Sequence, residues 1–380
     1  MSDQASFRIL DANLNRAREA LRVMEEYARF ALEDQRLTQE CKETRHALAE
    51  AVGRLGQALV SHQEEGRERT PLSPPLARGE GEALVVRSRD IVGDVGREVG
   101  TASEYQRADA VQVAQTAAKR LSEALRAIEE YGKTIDPSFA ATVEQIRYRG
   151  YELERRLTIT VHARRRFGDV RLYVIITEAF CHVDWFATAE AALRGGADCL
   201  QLREKDLTDR ELLDRAKRLS ALCHAHGALF ILNDRPDLAA LSSADGVHLG
   251  QDDMPVSAAR RIVPWSCLIG VSTHTEEQID AAIRDVPDYI AVGPMFASPT
   301  KPQDHIAGPE TLAAARRRTA LPLVAIGGID DQNVDAVLSA VQCVVCVCQA
   351  VVAEPDVEAV AANLSAAIDH ARVQQTANDG

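Results

Sequence analysis

Two hydrophobic periodicities divide the chain. Up to about residue 165 apolar residues recur at helical spacing, as in NLNRAREALRVMEEYARFAL. From about 171, short apolar runs alternate with longer helical stretches: LYVIIT, CLQLRE, ALFILN, GVHLG, CLIGVS, YIAVGP, PLVAIGG and CVVCVC. Strands separated by helices predict parallel pairing. Their number predicts a closed (β/α)8 TIM barrel over residues 171–372, with a doubly wound open sheet as the alternative. The expected fold class is thus α/β, the barrel being preceded by an all-α domain over residues 1–165.

The helical part is internally duplicated. RAREALRVMEEY at 16–27 returns as RLSEALRAIEEY at 120–131. Arg16, Glu19, Ala20, Leu21, Arg22, Glu25, Glu26 and Tyr27 match Arg120, Glu123, Ala124, Leu125, Arg126, Glu129, Glu130 and Tyr131. Each copy precedes another helical stretch, which predicts two helical hairpins packed as a bundle. Arg22 with Glu26, and Arg126 with Glu130, have i,i+4 spacing and read as surface pairs. Repetition of the whole constellation leaves a pocket between the copies as the alternative. Residues 61–83, SHQEEGRERTPLSPPLARGEGEA, read as a flexible surface insertion. Arg87, Arg89 and Asp90, near Gly93 and Gly96, read as a polar loop, or alternatively as an anion-binding one.

In a barrel of this kind the chemistry sits at the C-terminal ends of the strands. Gln201, Arg203 and Lys205 end the second strand, with Leu200 and Leu202 facing the helices. Consecutive same-face residues are roughly 7 Å apart, and two buried cations in a barrel mouth call for an anion. A phosphate or pyrophosphate fits, Arg giving a fork and Lys a point charge. An internal salt bridge to Asp206 or a neighbouring acid is the alternative. Asn233 and Asp234 end the third strand, Asp252 and Asp253 the fourth. Asp234 and Asp253 suit Mg2+, which takes one or two carboxylates plus substrate oxygens. A lone strand-end aspartate otherwise caps a helix, the role expected of Asp252. His248 is expected to point inward as a hydrogen-bonded structural histidine. Ser272 ends strand five. Ser298, Thr300 and Lys301 follow strand six and suit a second phosphate contact or a lid. Gly327 and Gly328 end strand seven, where such barrels bind phosphate through backbone N–H groups. Cys348 and Gln349 end strand eight. Two anion sites fit the joining of a diphosphate-bearing substrate to a monophosphate-bearing one.

Composition narrows the partners. The net charge is −13 over 380 residues, against a nucleic-acid or anionic-membrane surface. The N-terminus lacks a signal-peptide pattern, and no apolar run reaches the roughly 20 residues of a membrane helix. Eight scattered cysteines show no secreted framework. The expectation is a cytoplasmic protein acting on small phosphorylated molecules, with no nucleic acid, no membrane, and a homo-oligomer left open. Cys343, Cys346 and Cys348 read as part of a buried strand, with metal binding as the alternative.

QLREKD, ILNDRPDLA, ADGVHLGQDD, IGVSTHT, YIAVGPMFASPTK and VAIGGI, in this order, resemble the signatures of the thiamine-phosphate synthase family over residues 171–365. The resemblance implies condensation of hydroxymethylpyrimidine diphosphate with hydroxyethylthiazole phosphate, plain or carboxylated, giving thiamine phosphate and pyrophosphate. It implies that Gln201, Arg203, Lys205, Asn233, Ser272 and Lys301 hold the pyrimidine diphosphate, with Arg203, Lys205 and Lys301 acting in catalysis. It assigns Mg2+ to Asp234 and Asp253. It assigns the thiazole phosphate to Ser298, Thr300, Gly328 and the Cys348–Gln349 backbone. The family mechanism is dissociative, through a pyrimidine-stabilised carbocation. Two positions depart from the family: Ser298 stands where Thr is usual, and Gln349 where Ser is usual. The N-terminal half is similar to a helical domain fused to such synthases and proposed to be a hydroxymethylpyrimidine-phosphate kinase. It has no P-loop, and an oligomerisation module is the alternative. Another phosphate-binding barrel enzyme is the alternative for the C-terminal half.

Overall fold

The computed structural model describes residues 2–65, 107–297 and 305–378. They form two compact units, Met1–Thr158 and Ile159–Gly380.

The first unit is helical. Helix α1 (Ser2–Tyr27) runs into a π-helical turn, Ala28–Leu32, and the chain reverses at Glu33, whose φ is 57°. Helix α2 (Gln35–Glu65) follows, then α3 (Ala110–Gly132) and α4 (Pro137–Phe167), whose residues from Ile159 on belong to the second unit. The duplicated segments lie on α1 and α3, which pack against each other. Equivalent repeat positions are buried alike: Leu21 with Leu125, Ala20 with Ala124, Met24 with Ile128. The i,i+4 pairs Arg22–Glu26 and Arg126–Glu130 are solvent-exposed, as expected. The acid that matters to packing is a different one of the repeat. Glu25 bonds Arg45 at 3.1 Å, and buried Glu129 bonds buried Arg147 at 2.6 Å. Each copy thereby ties its repeat helix to its own return helix. The insertion expected at 61–83 needs correction at its start. Helix α2 continues through Glu65, because SHQEE lacks any helix-breaking residue before Gly66. Residues 66–83, and Arg87, Arg89, Asp90, Gly93 and Gly96, lie outside the described residues.

The second unit is a closed barrel of eight parallel strands paired in sequence order. They are β1 (Leu172–Ile176), β2 (Cys199–Leu202), β3 (Leu229–Asn233), β4 (Gly246–Leu249), β5 (Leu268–Thr273), β6 (Tyr289–Val292), β7 (Leu323–Ile326) and β8 (Val344–Val347). Each of the eight apolar runs read from the sequence is a strand. Alternate residues feed two cores. Leu200, Leu202, Val345 and Val347 pack outward against the helices. Tyr173, Cys199, Ile231, Tyr289, Val324 and Cys346 fill the interior. Cys343 and Cys346 therefore face opposite sides of the sheet and serve packing.

One ring dominates the interior. Tyr289 stacks on Phe167 with ring centroids 4.7 Å apart. Its space exists because Gly270, its register partner on β5, has no side chain. A Cβ there would lie 1.9 Å from the Tyr289 ring.

Three aspartates close the N-terminal rim, each immediately preceding an even-numbered strand. Asp198 accepts from Leu172 N at 3.1 Å and pairs with Arg171. Asp245 accepts from Phe230 N at 3.0 Å and pairs with Arg166. Asp288, 2% exposed, accepts from Ile269 N at 2.7 Å and pairs with Arg260 at 2.5 Å. Each carboxylate spans the step to the preceding strand. Replacing Asp288 by Ala should strand the Arg260 charge and a buried N–H, lowering unfolding free energy by about 3 kcal/mol. Urea denaturation of the single variant, beside Arg260→Leu/Asp288→Leu, which should recover part of the loss, checks this.

Candidate active site

The strand ends gather polar groups at the C-terminal mouth. Gln201 is in β2 and 3% exposed; Arg203 follows the strand, half-buried. Both line a mouth cavity with Asn233, His248 and Ser272, floored by Tyr173. The expected two buried cations need correction. Strand β2 ends at Leu202, and Lys205 stands on the following loop, its side chain 52% exposed. Arg203 N still bonds Ile176 O at 2.9 Å, so its side chain keeps the inward direction of the alternation. Beyond that bond the chain turns, and Lys205 reaches back to Asp234 in an ion pair.

Asp234 is held unusually. Its φ is 62°, a left-handed conformation that aspartate tolerates better than most residues. Its N–H donates to His248 O at 2.8 Å, locking the β3 end onto β4. The two predicted acids meet. Burial and a hydrogen bond shared with Asp253 hold the Asp234 carboxyl above its ordinary range. Burial opposes ionisation of Asp253 too. The shared bond and the Gly250 N–H, which donates to its Oδ2 at 2.7 Å, outweigh that and lower it. The turn bond belongs to Asp253, where Asp252 was the residue expected to cap. Two carboxylates forced together beside a lysine form a place where positive charge is favoured.

His248 points inward, as expected. Its Nδ1 meets Tyr289 Oη at 3.0 Å and its Nε2 meets Ser272 Oγ at 2.8 Å. Burial pushes the imidazole down to about 4, so it is neutral near pH 7. Gln251 donates to Ser272 O at 2.5 Å and steadies the end of β5. Gly327 and Gly328 follow β7 with φ of 96° and 69°. A Cβ on Gly328 would lie 2.7 Å from Phe296 O, so only glycine lets the two loops approach. Cys348 precedes the short helix Gln349–Val352; burial pushes its thiol up to about 12, which leaves it unreactive. Gly328, Cys348 and Gln349 sit at the β7 and β8 ends, outside the cavity that holds Gln201 and Arg203. Ser298, Thr300 and Lys301 lie outside the described residues. The sequence reading missed Tyr173 and Tyr289. Their signal was a phenol inside an otherwise apolar strand run.

Fold and mouth together define an enzyme of the (β/α)8-barrel class. The family model described as thiamine monophosphate synthase matches residues 172–351. A thiamine-phosphate synthase of Synechocystis sp. is 41% identical over 339 residues, 89% of each chain. The chain belongs to the thiamine-phosphate synthase family, transferases of thiamine biosynthesis. The synthase of Rhodopirellula baltica is also 41% identical, covering 87% of this chain and 84% of that one. The solved thiamine phosphate pyrophosphorylase of Pyrococcus furiosus is 32% identical with a TM-score of 0.50, covering 53% of this chain and 96% of that chain. The model of the ThiD2 family matches residues 8–71 and 76–156. No described helix is long and apolar enough to cross a membrane.

The buried imidazole makes an acid-side prediction. The unfolded chain takes up a proton at His248 near its ordinary value of 6.5, whereas the folded state does so only near 4. Stability should therefore fall as pH drops through that window, by about 3 kcal/mol from this group. Urea denaturation at pH 7 and pH 4 should show a shallower loss for His248→Gln than for the native protein.

Proposed function

We propose that the barrel domain, residues 171–372, condenses hydroxymethylpyrimidine diphosphate with hydroxyethylthiazole phosphate, forming thiamine phosphate and pyrophosphate. The observation that carries this is the Lys205–Asp234 ion pair with Asp253 beside it, at the strand ends next to the cavity that Arg203 lines, in a chain of this family. Gln201, Asn233 and Ser272 hold the pyrimidine. Arg203, Lys205 and Lys301 grip its diphosphate. Ser298, Thr300, Gly328 and the Cys348–Gln349 backbone receive the thiazole phosphate.

The donor set suits magnesium: two hard carboxylates brought together, the number Mg2+ takes beside substrate oxygens. Asp234 and Asp253 would hold it, and when bound it supplies electrophilic charge beside the diphosphate. The residues of the chain do the rest. The bond between the pyrimidine methylene carbon and the diphosphate oxygen breaks, both electrons leaving with oxygen. Arg203, Lys205 and Lys301 stabilise the negative charge that grows on the departing diphosphate. The thiazole nitrogen then attacks the methylene cation with its lone pair. The neutral imidazole of His248 adds no competing positive charge below the pyrimidine.

The helical domain, residues 1–165, has a second reading. We propose that it phosphorylates the pyrimidine monophosphate and so supplies the diphosphate; the ThiD2 family match supports a role in this chemistry. An oligomerisation role is the alternative.

Full-length protein with Mg2+ and both phosphorylated precursors should yield thiamine phosphate by chromatography; no product at saturating substrate overturns the synthase reading. Lys205→Gln should lower kcat/KM for the pyrimidine diphosphate about 100-fold, and unchanged turnover would favour another barrel chemistry. Mg2+ should raise the melting temperature of the native protein but not of Asp234→Asn/Asp253→Asn. With ATP and pyrimidine monophosphate in place of the diphosphate, continued product formation supports the kinase reading, and none leaves the oligomerisation role.

A further inference from the structure

A chain of hydrogen bonds crosses the barrel interior just below the mouth. It starts and ends on two residues of the proposed site. Gln201 Nε2 donates to Tyr173 Oη at 2.6 Å. Tyr173 Oη lies 3.3 Å from Tyr289 Oη. Tyr289 Oη meets His248 Nδ1 at 3.0 Å, and His248 Nε2 meets Ser272 Oγ at 2.8 Å. The five side chains come from β2, β1, β6, β4 and β5. Both tyrosines are at most 1% exposed, so water does not compete for their protons.

Such a chain has few ways to order its protons. Each hydroxyl has one proton to give, and a neutral imidazole has one N–H and one bare nitrogen. A hydroxyl oxygen can accept twice, but reversing a single bond then leaves a buried hydroxyl proton or a bare imidazole nitrogen without a partner, so only two orders satisfy every link and every proton. The amide nitrogen of Gln201 at the first link selects between them. Tyr173 then donates to Tyr289, and Tyr289 donates to His248 Nδ1. His248 donates from Nε2 to Ser272 Oγ. Two groups are left over at the ends. Gln201 keeps its carbonyl oxygen, an acceptor, for the mouth. Ser272 keeps its O–H, a donor, for the mouth.

We propose that Tyr173, Tyr289 and His248 are positioning residues that set this proton order, so that the mouth offers an acceptor at Gln201 and a donor at Ser272. That pair complements an aminopyrimidine, whose amino group donates and whose ring nitrogens accept. The identity of the substrate rests on the activity proposed above; the proton order does not. The buried interior, through the amide and hydroxyl it holds, decides which way round the pyrimidine edge is read.

Two measurements test this on the full-length protein. The first is the His248 tautomer, read from a nitrogen–proton correlation spectrum of protein labelled with nitrogen-15 histidine and assigned against His248→Gln. The Nε2–H tautomer is expected. The Nδ1–H tautomer, an even mixture or a doubly protonated ring near pH 7 overturns the proposal. The second is the kinetics of Tyr289→Phe, which keeps the ring and removes only the hydroxyl, with folding confirmed by circular dichroism. KM for the pyrimidine diphosphate should rise about tenfold, the worth of one buried hydrogen bond, while KM for the thiazole phosphate stays unchanged. An equal rise in both, or no rise, overturns the positioning role. If the native protein makes no thiamine phosphate, the proposed activity fails, and the tautomer still decides the proton order.

Discussion

The interior of the barrel is organised around the Tyr289 ring. It fills the space that Gly270 leaves on β5, rests on Phe167 below, and turns its hydroxyl up toward His248. A barrel of eight strands has an interior just wide enough for side chains to fill. A ring this large fits only if a neighbouring strand gives up its own side chain. That exchange closes the bottom of the barrel with apolar contacts and leaves polar tips facing the top. The mouth is thus built on a packed floor, and the groups above it inherit the precision of that floor.

Above the floor, charge sets the arrangement. Asp234 and Asp253 are positioned by two bonds: Asp234 N–H on His248 O fixes the backbone of the first, and Gly250 N–H on Asp253 Oδ2 fixes the carboxylate of the second. Like charges at that range favour a cation or a shared proton. Lys205 leans on the pair from an exposed loop, while Arg203 stays on the inward side of β2. The lysine is therefore free to follow its partner, and the arginine is not. A chain with a net charge of −13 concentrates cations only where the scaffold holds them, which is why this rim stands out.

Much of the architecture could be read from residue order. Parallel strands buried on both faces produce nearly continuous apolar runs, and all eight runs proved to be strands. The duplication was visible because identical packing demands, Leu21 and Leu125 at the same place on their helices, keep identical residues. Boundaries were less legible. Helix α2 continues through Glu65 into a segment whose composition reads as loop, and β2 stops at Leu202 although its alternation continues. The repeated acids were visible but their roles were not. Glu26 and Glu130 make the expected surface pairs, whereas Glu25 and Glu129 reach across to arginines on other helices, 20 and 18 residues away. The rim aspartates 198, 245 and 288 went unread for the same reason, since each bonds a strand that precedes it.

By itself the sequence determined the strand count, the order of the strands, the duplicated helices, and which residues stand at strand ends. These follow from local periodicity and from the rule that parallel strands deliver their C-terminal ends to one face. It also determined the chemical types at that face, two cations, two acids and a glycine pair. Only the tertiary structure decided which of them meet. Asp234 and Asp253 are 19 positions apart in sequence yet share a hydrogen bond. Tyr173 and Tyr289, separated by 116 positions, join β1 to β6 across the barrel. Contacts through a closed interior depend on which side chains fill it and which are missing, and no local pattern carries that information.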